Sequence, residues 1–449
     1  MRRIGVIIAG LSLVGWEASA QQLSLDVEAL RVEVVGDAWV SVGFLNSYTS
    51  AVVACAYNLP SAANPPAIPR IRNVSSTGME LRAQRWAPSG TVAASAIHCL
   101  VVDEGVHTLA GGQVLEARRV VSTNTVGWAN NWPVANYENV TSTFTQSFPN
   151  LVVFGSVMTA NDPEPSSFTT RASGNRNTRP TSANFLVGKH IGQISGTRAT
   201  ETLGVIATSP GSGTANDVQY LFGVGPNGGA GVGNSPPYST PVTGDFDTGV
   251  ITQNAENGGQ GGFAVLYGPI PLPNAAYEWA IDEETFAGDT GRSHIAEEVA
   301  HALFANNQTT DLTGTKGIDA GTAPHFVPGT EVDYTLSVSN AGSAPARELF
   351  FTDPISTDLE VFTADLAGPG SGPVELLSTN SGLSLGTGDV GFSSSVSPPA
   401  SFAACTYSPS GTYDAAIRHI CLRPTGVLKA GSLEATTPQA VFRFRTRLR

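Results

Sequence analysis

Charge, sulfur and long apolar runs are all scarce in this sequence. Only 14 % of its 449 residues are charged, with 24 Lys and Arg against 37 Asp and Glu, for a formal net charge of −13. Such a chain repels nucleic acid and anionic membrane over long range, which makes both poor partners. Beyond the first 20 residues no stretch approaches the roughly 20 apolar residues that a membrane helix needs. Cysteine occurs four times, never as Cys-x-x-Cys and never at zinc-ligand spacing, so redox and zinc-finger chemistry lack their motifs. There is no Gly-x-Ser-x-Gly and no Walker or Rossmann fingerprint. The glycine-rich stretch Gly223 to Gly233 lacks both the following Lys and the strand–helix context. The sequence therefore reads as that of a non-enzyme.

What is present begins with an export signal. Arg2 and Arg3 precede an apolar run from Ile4 to Trp16, and Ala18-Ser19-Ala20 supplies the small residues that signal peptidase requires. Residues 1–20 are expected to be removed, giving a secreted or cell-surface chain with no membrane insertion after cleavage. The 49 glycines and 29 prolines punctuate short strands better than helices. Four cysteines allow three pairings. The local pairs Cys55–Cys99 and Cys405–Cys421 avoid bridging distant domains and are the expected ones.

A faint repeat runs through the first 320 residues. Apolar strands open at Tyr48 to Val53, Phe148 to Val153 and Phe246 to Ile251, in steps of about 100 residues. Closing segments follow at His98 to Gly105, Ala199 to Ala207 and His294 to Phe304. Ile295 to Phe304 also fits a short helix, and analogy with the other two units favours a strand. Within the first unit, Arg70 to Val74 and Met79 to Trp86 alternate apolar and polar side chains around a Ser75-Ser76-Thr77-Gly78 turn. From about Ala323 the character changes to long alternating strands. The chain ends with Phe442, Phe444, Thr446 and Leu448 on one face and Arg443, Arg445, Arg447 and Arg449 on the other.

Two resemblances rest on these residues. The run from Val327-Pro328-Gly329-Thr330 through Glu331-Val332-Asp333-Tyr334-Thr335-Leu336-Ser337-Val338 to Asp353-Pro354 resembles the bacterial cell-surface DUF11 domain. That implies an immunoglobulin-like sandwich over the last 130 or so residues, from a family found in stalks and adhesins. The strand at Val52-Val53, then Arg70 to Arg82, then Trp86 is similar to the H-type lectin domain, a small β-sandwich that trimerises and binds galactose-type sugars. A late His-x-x-Glu-x-Val element of related secreted repeats matches His294 to Val299.

The expected fold is all-β. It comprises lectin-like sandwiches over 21–120, 121–213 and 214–320, then an immunoglobulin-like domain over 321–449. For a sugar site, lectin sandwiches pair an aromatic face with residues that make bidentate hydrogen bonds. Arg82, Arg85, Trp86 and Asp103 are the first-unit candidates, with Arg82 and Trp86 placed on one face by alternation. His294 and His301 are seven apart, and that spacing and order do not make a zincin His-Glu-x-x-His. No cofactor is implied. Calcium is the metal that Asp282, Glu283, Glu284 and Asp289, with Asp245 and Asp247, could hold, although their spacing matches no EF-hand. The resulting expectation is a homo-oligomeric adhesive protein that binds extracellular glycan or other surface proteins. A structural fibre subunit and a secreted hydrolase are the alternatives.

Overall fold

The computed structural model describes residues 18–286, 290–319, 327–377 and 380–449. The expected signal segment falls outside the described residues up to residue 17, and Asp289 lies outside them too. Strands dominate, the only helical elements among the described residues are single 3-10 turns, and no described helix is long and apolar enough to cross a membrane.

Residues 18–307 hold three sets of seven strands. The first set is β1 (Ala18–Gln22), β2 (Val27–Val35), β3 (Val40–Gly43), β4 (Ala51–Leu59), β5 (Ala67–Arg72), β6 (Gly78–Arg85) and β7 (Ser95–Asp103). The second is β8 (Gly105–Thr108), β9 (Val114–Ser122), β10 (Glu138–Asn139), β11 (Val152–Val157), β12 (Ser167–Ala172), β13 (Phe185–His190) and β14 (Glu201–Thr208). The third is β15 (Gly211–Ala215), β16 (Val218–Val224), β17 (Tyr238–Pro241), β18 (Thr248–Gln253), β19 (Gly262–Tyr267), β20 (Ala276–Glu283) and β21 (Val299–Asn306).

The pairing is the same in each set. One sheet is ordered β1-β2-β7-β4 in the first, β8-β9-β14-β11 in the second and β15-β16-β21-β18 in the third. The facing sheets are β3-β6-β5, β10-β13-β12 and β17-β20-β19. The opening segments of the sequence repeat thus become β4, β11 and β18, and the closing segments become β7, β14 and β21. The repeats run 18–103, 105–208 and 211–306, so β8 opens the second repeat and β9 belongs to it, whereas the sequence reading ended its first unit at residue 120. The Gly111-Gly112 pair there turns a hairpin between β8 and β9, with φ of 93° and 88° that glycine adopts without strain. It marks no domain boundary.

The repeats are not separate beads. Every residue of β4, β11 and β18 is buried, because these three strands pack against one another. Backbone groups cross between them: Cys55 N donates to Ser156 Oγ at 2.8 Å, and Val53 N to Met158 Sδ at 3.0 Å. At their end β4 and β19 pair in parallel, Asn58 opposite Leu266 and Leu59 opposite Tyr267. One apolar core therefore carries side chains of all three repeats, among them Val53, Phe154 and Val250. Strands buried on both faces read as continuous apolar runs, which is why Ala51-Val52-Val53-Ala54 and Leu151-Val152-Val153 stand out. A buried ion pair, Arg70 Nη2 to Glu201 Oε1 at 3.6 Å, joins the first repeat to the second.

The Cys55–Cys99 disulfide links directly opposed residues of β4 and β7. Residues 308–449 form a second unit. Its larger sheet contains Leu312–Ile318, Glu331–Asn340, Gln439–Leu448, Leu359–Phe362 and Tyr413–Asp414 in that order. Phe351–Pro354, His419–Leu422 and Val390–Ser393 form a separate sheet. Leu336, Val338, Phe351, Ile420, Phe442 and Phe444 are among the residues of their shared core. Cys405–Cys421 closes a loop of 16 residues here. Both expected disulfides are formed, and each stabilises by about 3–4 kcal/mol in the chain-entropy account. Three arginines of the terminal stripe are paired with carboxylates within the unit, and Arg449 donates to Thr357 O at 3.1 Å. Arg445 makes a bidentate pair with Asp333 at 2.7 and 3.0 Å, Arg447 pairs with Glu360, and Arg443 pairs with Glu375.

Trp86 is fully buried, stacked on Phe263 of the third repeat at 5.2 Å and near His190 of the second at 5.6 Å. It therefore ties three repeats together. Trp86→Ala should lower unfolding stability by about 3–5 kcal/mol, read as a shifted urea midpoint. An unchanged midpoint would contradict this placement.

Candidate functional site

The expected first-unit sugar residues do not converge. Alternation along β6 breaks at Ala83 and Gln84, which are both buried, and Trp86 therefore turns inward rather than beside Arg82. An indole covered by Phe263 and His190 has no face to offer a sugar. Arg82 lies over the Trp39 ring at 4.7 Å, and Arg85 Nε donates to Ala87 O at 2.9 Å. Asp103 accepts from Thr49 N and Ser50 N at 3.1 and 2.7 Å, fixing the turn into β4.

The acidic set is equally committed. Asp282 holds Arg292 through both oxygens at 2.6 and 2.7 Å, and Arg292 in turn donates to Ala62 O and Asn64 O in the first repeat. Glu283 bonds His294, and Glu284 accepts from Gln193 N at 3.0 Å. Asp245 accepts from Ala275 N, and Asp247 from Asn306 N. Among the described residues no group of three His, Cys, Asp or Glu side chains is arranged to hold a metal ion.

The His-x-x-Glu-x-Val element has a clear structural task. Glu297 accepts from Asn257 N and Gly258 N at 3.0 and 2.7 Å, which shapes the loop after β18. Glu201 does the same in the second repeat, accepting from Asn161 N and Asp162 N after β11. Two or three amide donors on one carboxylate are strong, charge-assisted bonds. In the third repeat His294 adds a layer. Its Nδ1 meets Glu283, and its Nε2 lies 3.0 Å from Glu297 Oε1, with all three side chains buried. Burial alone would lower the His294 pKa, but the two flanking carboxylates prevail and raise it to about 9. Burial, with Glu297 nearby, holds the Glu256 carboxyl well above the usual range. His190 is pushed down to about 3 by burial, with His294 adding to the effect.

This network underlies a cleft between the second and third repeats. Asn177, Thr178, Arg179, Asn227, Ala255, Asn257 and Glu298 line a space of about 240 Å³. Arg179 and Glu298 face each other at 3.4 Å, and Asn257 Nδ2 donates to Asn227 Oδ1 at 3.3 Å and to Ala296 O at 2.9 Å. Burial raises the Glu298 carboxyl, and Arg179 opposes that rise. Outside this lining, Trp128 is 56 % exposed and lies against Gly259, two residues from Asn257. A Cβ on Gly259 would stand 2.6 Å from the Trp128 ring and 3.3 Å from Arg176 Nη1, so only glycine admits both.

The loop behind Trp128 is strained. Asn131 and Trp132 adopt φ of 57° and 53°, and for a bulky residue that conformation costs about 1–2 kcal/mol. Trp132 turns inward, where its Nε1 donates to Gly259 O at 2.7 Å, and the same loop presents Trp128 outward. Strain held by surrounding contacts is common at ligand sites. A second space, about 40 Å³ and lined by Cys55, Ser156, Ser166, Gln253 and neighbours from all three repeats, has room for a few waters at most.

The cleft residues come from four separate segments, 177–179, 227, 255–257 and 298, of which only the glycine-rich stretch that holds Asn227 and the closing segment that holds Glu298 stand out in the sequence. The signal that could have found them is the Gly127-Trp128-Ala129-Asn130-Asn131-Trp132 run, in which two indoles sit outside any alternating strand. No protein family, no characterised protein and no solved structure matches this chain.

The His294 network makes a pH prediction. A histidine whose folded pKa lies above its unfolded value of about 6.5 contributes stability that is fully present below pH 6.5. That contribution is lost as pH rises through about 9. The raised Glu256 carboxyl acts in the same direction. Urea midpoints should therefore fall between pH 6.5 and 9.5, and His294→Gln should flatten that fall. An equal slope in the variant would contradict the network's role.

Proposed function

We propose that this is an exported, non-enzymatic adhesive protein that binds carbohydrate in the cleft between its second and third repeats. The observations that carry the reading are the amides of Asn177, Asn227 and Asn257 with the Arg179–Glu298 pair in the cleft, and an exposed Trp128 that lies against Gly259, two residues from Asn257. An indole face covers the apolar side of a sugar ring, and planar amide, guanidinium and carboxylate groups match its vicinal hydroxyls. The two disulfides fit an oxidising compartment. The likeness of the first repeat to H-type lectins, read from Val52-Val53, Arg70 to Arg82 and Trp86, points to the same ligand class.

The test is a glycan array on residues 21–449, with calcium and with a chelator, followed by titration of any hit. Trp128→Ala and Asn257→Ala should each weaken binding about tenfold or more, the scale of a lost hot-spot contact. Arg85→Ala, outside the cleft, should leave it unchanged. A blank array accompanied by concentration-dependent assembly in sedimentation would overturn the reading in favour of a structural fibre subunit.

A further inference from the structure

In the unit of residues 308–449, Lys316 and Asp353 lie on strands of different sheets, Leu312–Ile318 and Phe351–Pro354. Lys316 Nζ donates to Asp353 Oδ2 at 2.7 Å. The aspartate side chain is 2 % exposed and the lysine side chain 12 %. Two aromatic rings wall the amine. Its nitrogen is 4.7 Å from the Tyr334 ring and 5.3 Å from that of Phe444, and these rings stack on each other at 5.6 Å. His419, also buried, pairs with Pro354 in the adjoining strand, and its Nδ1 lies 3.1 Å from Ser395 O. Burial raises the Asp353 carboxyl above its ordinary range, and Lys316 and His419 oppose that rise.

An ammonium and a carboxylate held this close away from water can exchange a proton, leaving a neutral amine beside a neutral acid. The amine nitrogen then stands at attack distance from the carboxyl carbon, and fixed proximity replaces the activation that solution chemistry would need. We propose that Lys316 and Asp353 condense into an intramolecular amide that links the two sheets of this unit. The new bond joins Lys316 Nζ to Asp353 Cγ, and one Cγ–O bond breaks. Of the three ammonium protons, one passes to the carboxylate and a second to the departing hydroxyl, so a single water leaves and the amide keeps the third. No oxidant, reductant or co-reactant is required. The link fastens the sheet's edge strand, which otherwise depends on one neighbour, to the opposite side of the fold.

Peptide mapping of the full chain after reduction and alkylation tests this. Trypsin can cut after Arg292, Lys316, Arg347 and Arg418 in this region. The expected wild-type product joins residues 293–347 to 348–418, uncut after Lys316, at the summed mass less one water. Lys316→Arg keeps a cation against Asp353 but supplies no amine, so it should fold and release 293–316, 317–347 and 348–418 as three separate peptides. Mild acid gives a second reading, because an Asp–Pro bond breaks through a free aspartate carboxyl. Asp162–Pro163 should break in both proteins, whereas Asp353–Pro354 should resist in the wild type and break in Lys316→Arg. Free 317–347 and 348–418 peptides from the wild type, with both Asp–Pro bonds broken, would overturn the proposal.

Discussion

Mutual burial of β4, β11 and β18 is the constraint on which the rest of residues 18–307 depends. Each strand is buried on both faces because one face serves its own sandwich and the other meets the two sister strands. A repeat taken alone would expose that second face, several hundred Å² of apolar surface, to water, which a monomeric protein rarely tolerates. Three copies in one chain cover it for one another. Gly204 of the second repeat marks how close the approach is: a Cβ there would stand 2.6 Å from Val53 O of the first.

That packing decides where polar groups must be satisfied and where ligands can reach. Loops that leave the central strands are pressed into the joints between repeats, and buried carboxylates hold their backbone amides. Glu28 takes the amides of Leu45 and Asn46, and Glu116 those of Thr145 and Gln146. Glu201 and Glu297 do the same on the other side of the middle strands. Each arrangement satisfies backbone donors that would otherwise be buried without acceptors. The cleft beside Trp128 follows from this, since its walls are the loops that Glu297 and the strained 127–132 segment hold in place.

Much of the fold was legible in the sequence, and much less of the site. Apolar runs at Val52-Val53 and Val152-Val153, the turn residues and the paired cysteines carry local physics, so strand class, repeat and disulfides follow from them. The repeat limits did not follow, because β9 looks like a closing strand until its partner β14, about 80 residues on, is known. Trp86 was misplaced because a single irregularity after Ala83 reverses which face a side chain takes. The acidic run Asp282-Glu283-Glu284 suggested a cation. Its partners Arg292, His294 and Gln193 come from other loops, and local sequence gives no sign of them.

The central claim, that three repeats share one core, is tested most directly by native-state hydrogen exchange on the full chain, resolved over residues 51–59, 152–157 and 248–253. A shared core predicts that these three strands open with one common free energy and that Phe154→Ala lowers all three together. Three distinct opening energies, with Phe154→Ala altering only 152–157, would contradict it.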